Sequence, residues 1–81
     1  MSMVIRYVIQ FPNTKKIHAE INKDDNKVFR CSFFSMWESS MISLKDSYSN
    51  EGEALNDLRK AVMSYYRSTA LGIREDSRFL S

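Results

Sequence analysis

Eighty-one residues with two glycines, one proline and a 43% apolar share exclude a disordered chain and a multidomain enzyme, and leave room for one small core. Twelve Lys and Arg against ten Asp and Glu give a net charge of +2, which permits a nucleic-acid partner without requiring one. A single cysteine, Cys31, allows no internal disulfide and fits a reducing, cytoplasmic setting, while the apolar runs are too short to span a bilayer and no signal-peptide pattern opens the sequence.

The first element is a strand. In residues 3–11, Met3, Ile5, Tyr7, Ile9 and Phe11 alternate with Val4, Arg6, Val8 and Gln10, which gives one apolar face and one mixed face. Pro12-Asn13 supplies a turn, because proline fixes φ and asparagine tolerates the left-handed region. Residues 15–23 alternate again, with Ile17, Ala19 and Ile21 on one side and Lys16, His18, Glu20 and Asn22 on the other, as in a strand with one solvated face.

Asp24-Asp25-Asn26 is the next turn. A three-residue loop with Asn26 left-handed pairs Lys23 with Lys27. It sets Ile21 against Phe29, Ala19 against Cys31 and Ile17 against Phe33, apolar against apolar. The third strand then covers about 27–35, with Val28, Arg30, Ser32 and Phe34 on its outer side and Cys31 as a small buried hydrophobe. Ile42 and Leu44 alternate with Ser43 and Lys45, which predicts a short fourth strand at about 40–46 after a connection that holds Trp37.

Residues 50–71 read as a helix. Asn50 caps it with Glu53 three residues on. Ala54, Leu55, Leu58, Ala61, Val62, Tyr65 and Tyr66 recur at helical spacing. Gly72 is the expected stop, with Ile73 placed for the apolar contact beyond it. The expected architecture is α+β: a three- to four-stranded antiparallel sheet packed against one long C-terminal amphipathic helix. Residues 1–73 form a single domain, and 74–81 a polar tail whose only large apolar residues are Phe79 and Leu80.

No constellation of residues points to catalysis. His18 is the only imidazole and falls on the face opposite Cys31, so no Cys–His pair and no zinc ligand set is expected. The Asp24–Asp25 pair is turn chemistry, and the Glu51–Glu53 pair suits the positive end of the helix dipole while opposing a phosphate there. Neither a cofactor nor a metal is expected.

Two surfaces remain. Val8, Val28 and Phe34 on the mixed face, with Trp37 at the rim, are candidate protein-binding residues, since apolar patches and tryptophans mark interfaces. Arg6, Lys16 and Arg30 on the sheet, with Arg59, Lys60 and Arg67 on the helix, are candidate nucleic-acid contacts. Basic side chains beside an exposed aromatic suit a single strand.

The stretch Ser49-Asn50-Glu51-Gly52-Glu53-Ala54-Leu55, after three antiparallel strands, resembles the helix start of HicB-like antitoxin domains, and the β-β-β-α order over residues 3–66 is similar. That resemblance implies a protein that neutralises another protein and carries over no catalytic residue. The style of the chain is also similar to small accessory proteins of bacteriophages, which act by occupying a host protein or RNA. The expected function is therefore a small non-enzymatic protein that inhibits or regulates a macromolecular partner by binding it. RNA or single-stranded nucleic-acid binding is the alternative. A homodimer is compatible with either, because the edges of a small sheet invite pairing.

Overall fold

Period-two alternation is realised where it was read. The computed structural model describes residues 2–80 and comprises β1 (Met3–Gln10), a 3-10 turn (Pro12–Thr14), β2 (Lys16–Lys23), β3 (Phe29–Ser35), β4 (Ser40–Tyr48), α1 (Glu51–Tyr66) and β5 (Gly72–Leu80). The strands form one sheet in the order β4-β3-β2-β1-β5, antiparallel at every pairing. Ile5, Tyr7, Ile9, Ile17, Ala19, Ile21, Phe29, Cys31 and Phe33 on one face pack with Ala54, Leu58, Val62 and Tyr66 of the helix into a single core. Asn13 takes a left-handed conformation at φ 69° in the first turn, as the Pro-Asn pair predicts.

The β2–β3 register differs from the expected one. Lys23 pairs with Phe29, Ile21 with Cys31 and Ala19 with Phe33. The left-handed residue is Lys27, at φ 62°, not Asn26. Asp24 decides this: its Oδ1 accepts from the backbone N–H groups of Asn26 and Val28, and its carbonyl accepts from Lys27 N–H. The loop keeps its three-residue form but sits one position further along. Such a displacement slides the pairing by two residues, so every apolar residue keeps its face.

The helix is shorter than the apolar spacing suggests, and it lies mid-chain. Asn50 caps it as expected, its side chain accepting from Glu53 N–H at 2.8 Å. It ends at Arg67, left-handed at φ 51°, ψ 47°, with Arg67 N–H donating to the Ser64 carbonyl and Ser68 N–H to the Met63 carbonyl. These bonds close the last turn without glycine. Gly72 instead opens β5, and residues 74–80 are not a tail but the rest of this strand, paired along the length of β1.

On β5, Ile73 pairs with Ile9 and Arg78 with Ile5, so both stand on the helix side. Arg78 meets Glu51 at the helix start (Nη2 to Oε2 3.0 Å) and Glu75 on its own strand (Nη2 to Oε1 2.8 Å). One guanidinium thus ties the edge strand to the helix N-terminus. The hydrogen bond from Arg78 holds the Glu75 carboxyl below the ordinary carboxylate range.

A carboxyl with a lowered folded-state value stabilises fully above its unfolded value and loses that contribution as pH falls through the lowered one. Hydrogen-exchange protection of the β5 amides, corrected for intrinsic rates, should therefore drop between about pH 6 and about pH 3. Arg78→Ala should lower β5 protection at neutral pH, remove its acid-dependent loss, and leave β2–β3 protection unchanged.

Candidate functional site

Two surfaces carry side chains beyond what the core needs: the tip of the β3–β4 hairpin and the sheet face away from the helix.

The tip is fixed by two tyrosines from the last turn of α1. The Tyr66 hydroxyl donates to the Phe34 carbonyl at 2.7 Å and accepts from Met36 N–H at 3.0 Å. The Tyr65 hydroxyl bonds the hydroxyl of the fully buried Ser35 at 2.6 Å, and Ser35 Oγ also accepts from Glu38 N–H. Both ends of the turn are thereby held, which lets Ser39 sit left-handed at φ 52°. The Trp37 ring stacks on Tyr66 (centroids 5.1 Å, planes 28° apart) and leans on Tyr65 (5.3 Å). Even so, Trp37 is 66% exposed, and Met36 beside it 43%. A large apolar side chain is presented to solvent on a support that cannot easily let it collapse.

The sheet face away from the helix is open. Its residues form rows across all five strands, readable from the pairing. One row runs Arg74, Val8, His18, then Phe34 and Met41, with Ala19 opposite Phe33 setting Phe34 next to His18. The next runs Ser77, Arg6, Glu20, Ser32, Ser43, and a third Phe79, Val4, Asn22, Arg30, Ser47. Arg6 lies over the Phe79 ring at 5.2 Å and meets Glu20 at 3.6 Å.

The expected protein-binding residues do not converge. Val8 is only 6% exposed: it sits on a central strand between His18 and Arg74, and is not part of an apolar patch. Val28 is half-buried at the β2–β3 end of β3, while Trp37 lies beyond the other end of that strand. Phe34 is half-buried on the open face. Trp37 was expected at the rim and is found there, but on the helix side with the tyrosines. Of the nucleic-acid candidates, Arg6, Lys16 and Arg30 are exposed on the open face. Arg59, Lys60 and Arg67 belong to the helix layer on the other side, and Arg67 serves as its cap.

Cys31 is buried as expected. Its thiol donates to the Ala54 carbonyl at 3.4 Å, and burial pushes its pKa up to about 11, which keeps it a thiol and an inert one. His18 is exposed on the opposite face. Among the described residues, no group of three or more His, Cys, Asp or Glu is placed to hold a metal ion, and no helix is long and apolar enough to cross a membrane.

Sequence reasoning took Tyr65 and Tyr66 as core stripe alone. Their hydroxyls reach partners about thirty residues back in the chain, a relation that no local pattern carries. Arg74 was missed, and Phe79 was singled out but not placed in a strand, because their segment read as tail. Comparison with protein-family models, curated proteins and solved structures finds no match for this chain.

Tyr66→Phe removes the one hydroxyl that bonds both the Phe34 carbonyl and the Met36 N–H. It should destabilise the fold by about 1–3 kcal/mol. The steady-state anisotropy of Trp37 fluorescence, the chain's only tryptophan, should fall as the turn loosens.

Proposed function

We propose that this protein is a non-enzymatic binding module that inhibits or regulates a protein partner by occupying its surface, with Trp37 as the anchor. The observation that carries this reading is the combination at the hairpin tip. A tryptophan that is 66% exposed is held by ring stacking and by two tyrosine-anchored turn ends. Tryptophan is the residue most enriched at interface hot spots, and a side chain already held in place loses little entropy on binding. Met36, on the same turn, is an adaptable apolar neighbour for such a contact. The likeness of residues 49–55 to HicB-like antitoxin domains points in the same direction.

The test is an affinity capture from the native host's lysate, with nuclease-treated and untreated halves, run beside the Trp37→Ala variant. Trp37 adds nothing to the buried core, so the variant should keep its fold by circular dichroism. One protein should be retained in both halves, and Trp37→Ala should weaken its affinity at least about thirtyfold, the scale of a hot-spot truncation. Equal affinity for wild type and Trp37→Ala would overturn the assignment of the tip. A protein that turned over a substrate and bound no partner would overturn the binding role itself.

A further inference from the structure

We propose that the open face of the sheet is a second binding surface, separate from the Trp37 tip, and that its ligand is single-stranded nucleic acid. The overall charge understates this face. Arg6, Arg30 and Arg74 belong to the three rows across it, and Lys16 pairs with Gln10 at their end. Against them stand Glu20, already paired with Arg6, Asp76, already paired with Arg74, and Asp24 at the end of the face, whose Oδ1 accepts from the Asn26 and Val28 N–H groups. Glu51, Glu53 and Asp57 lie on the helix, on the other side of the sheet. Segregation of charge by face makes a near-neutral chain locally basic, and basic side chains neutralising phosphates supply most sequence-independent affinity for nucleic acid.

Aromatic rings accompany the charge. Phe79 is 51% exposed on the edge strand β5, with Arg6 over its ring, and half-buried Phe34 stands on β3, inside the β4 edge. They are three strands and two rows apart, about 20 Å by strand spacing and rise, a span that suits a few nucleotides with a base stacked at each end. The face holds three shallow depressions, the first between the two rings and the others toward the two ends of the sheet. One of about 260 Å³ is lined by Arg6, His18, Glu20 and Met41. Another of about 210 Å³ is lined by Val8, Gln10 and Arg74. The third, about 220 Å³, includes Val4, Asn22, Lys23, Asp24 and Arg30. Imidazole and amide groups beside guanidinium groups match splayed bases and the phosphates that join them. The face offers no helix or ribbon to enter a groove, which favours a single strand over a duplex.

The experiment is fluorescence anisotropy with fluorescein-labelled eight-nucleotide oligo-U RNA and oligo-dT DNA, plus a duplex control, at about 50 mM and about 200 mM salt. Both single strands should bind more tightly than the duplex, and binding should weaken with salt. Preference for RNA would assign the ligand to RNA through its 2′-hydroxyls, and equal affinity to single strands of either sugar. The double variant Arg6→Ala/Arg30→Ala should weaken binding at least tenfold and flatten the salt dependence. Phe79→Ala should weaken it at unchanged salt slope, and Glu20→Gln should strengthen it severalfold. Trp37→Ala should leave it unchanged, so failure here and failure of the protein-binding tip are told apart. The proposal is overturned by the absence of oligonucleotide binding in low salt, by binding indifferent to salt and to the arginine substitutions, or by binding to phosphatidylserine vesicles as tight as to the oligonucleotides.

Discussion

One helix of sixteen residues has to close one face of a five-stranded sheet, and much of the molecule follows from that mismatch. The helix is about 24 Å long and about 10 Å across, while five strands at their usual spacing are about 19 Å wide before side chains are added. It packs mainly over β3 and β4, with β2 beside them. The far side, under β1 and β5, is closed by other means: Ala70 from the segment after the helix is buried, Ile73 packs against the core, and Arg78 bridges to Glu51 and Glu75. Charged residues facing the helix side of β5 are tolerated because they lie beside the helix start, exposed, and pair with Glu51 and with one another. No second helix is left for the opposite face, so its residues are polar, basic or only partly apolar.

The same economy fixes the hairpin tip. The helix ends beneath the β3–β4 turn, and its last two tyrosines serve the core with their rings and the turn with their hydroxyls. Phe33 meets Tyr65 edge-on at 5.1 Å, and Phe11 meets Tyr66 at 5.9 Å. The outer oxygen of each then satisfies groups of the turn that would otherwise have no partner. Trp37 rests on this pair from outside. It is the one place where a large aromatic is both well supported and largely exposed, and that combination separates a binding surface from ordinary exposed apolar area.

Much of the fold was legible in the sequence, and the failures have local causes. β1, β2, β3 and the helix start were readable because alternation and the Asn50 cap are short-range signals. Lys27 replaced Asn26 as the left-handed residue because the Asp24 side chain organises the turn, and propensity alone does not register that competition. The helix end was misread because Thr69, Ala70 and Leu71 prolong a helix-compatible pattern, and because arginine is not a usual left-handed cap. β5 was hidden by its bulge. Ile73 and Glu75 face the helix side, the register shifts opposite Arg6 and Tyr7, and Arg78 and Leu80 resume that side out of phase. A strand with one extra residue and four charges has no period of two to read. Missing β5 left Arg74 and Phe79 unplaced on the sheet, so one edge of the open face went unseen. The Trp37 support was illegible for a different reason: it joins residues far apart in the chain through hydroxyl groups.

The two proposed surfaces lie on opposite sides of one small domain, an exposed tryptophan on the helix side and a basic face on the other. The most direct measurement is hydrogen exchange by mass spectrometry on the protein alone and with its captured protein partner. The account predicts new protection over residues 34–41, centred on the Trp37 turn, with β5 and the β2–β3 turn unchanged. Protection confined to β5 or to the β2–β3 turn, with residues 34–41 exchanging as before, would contradict it.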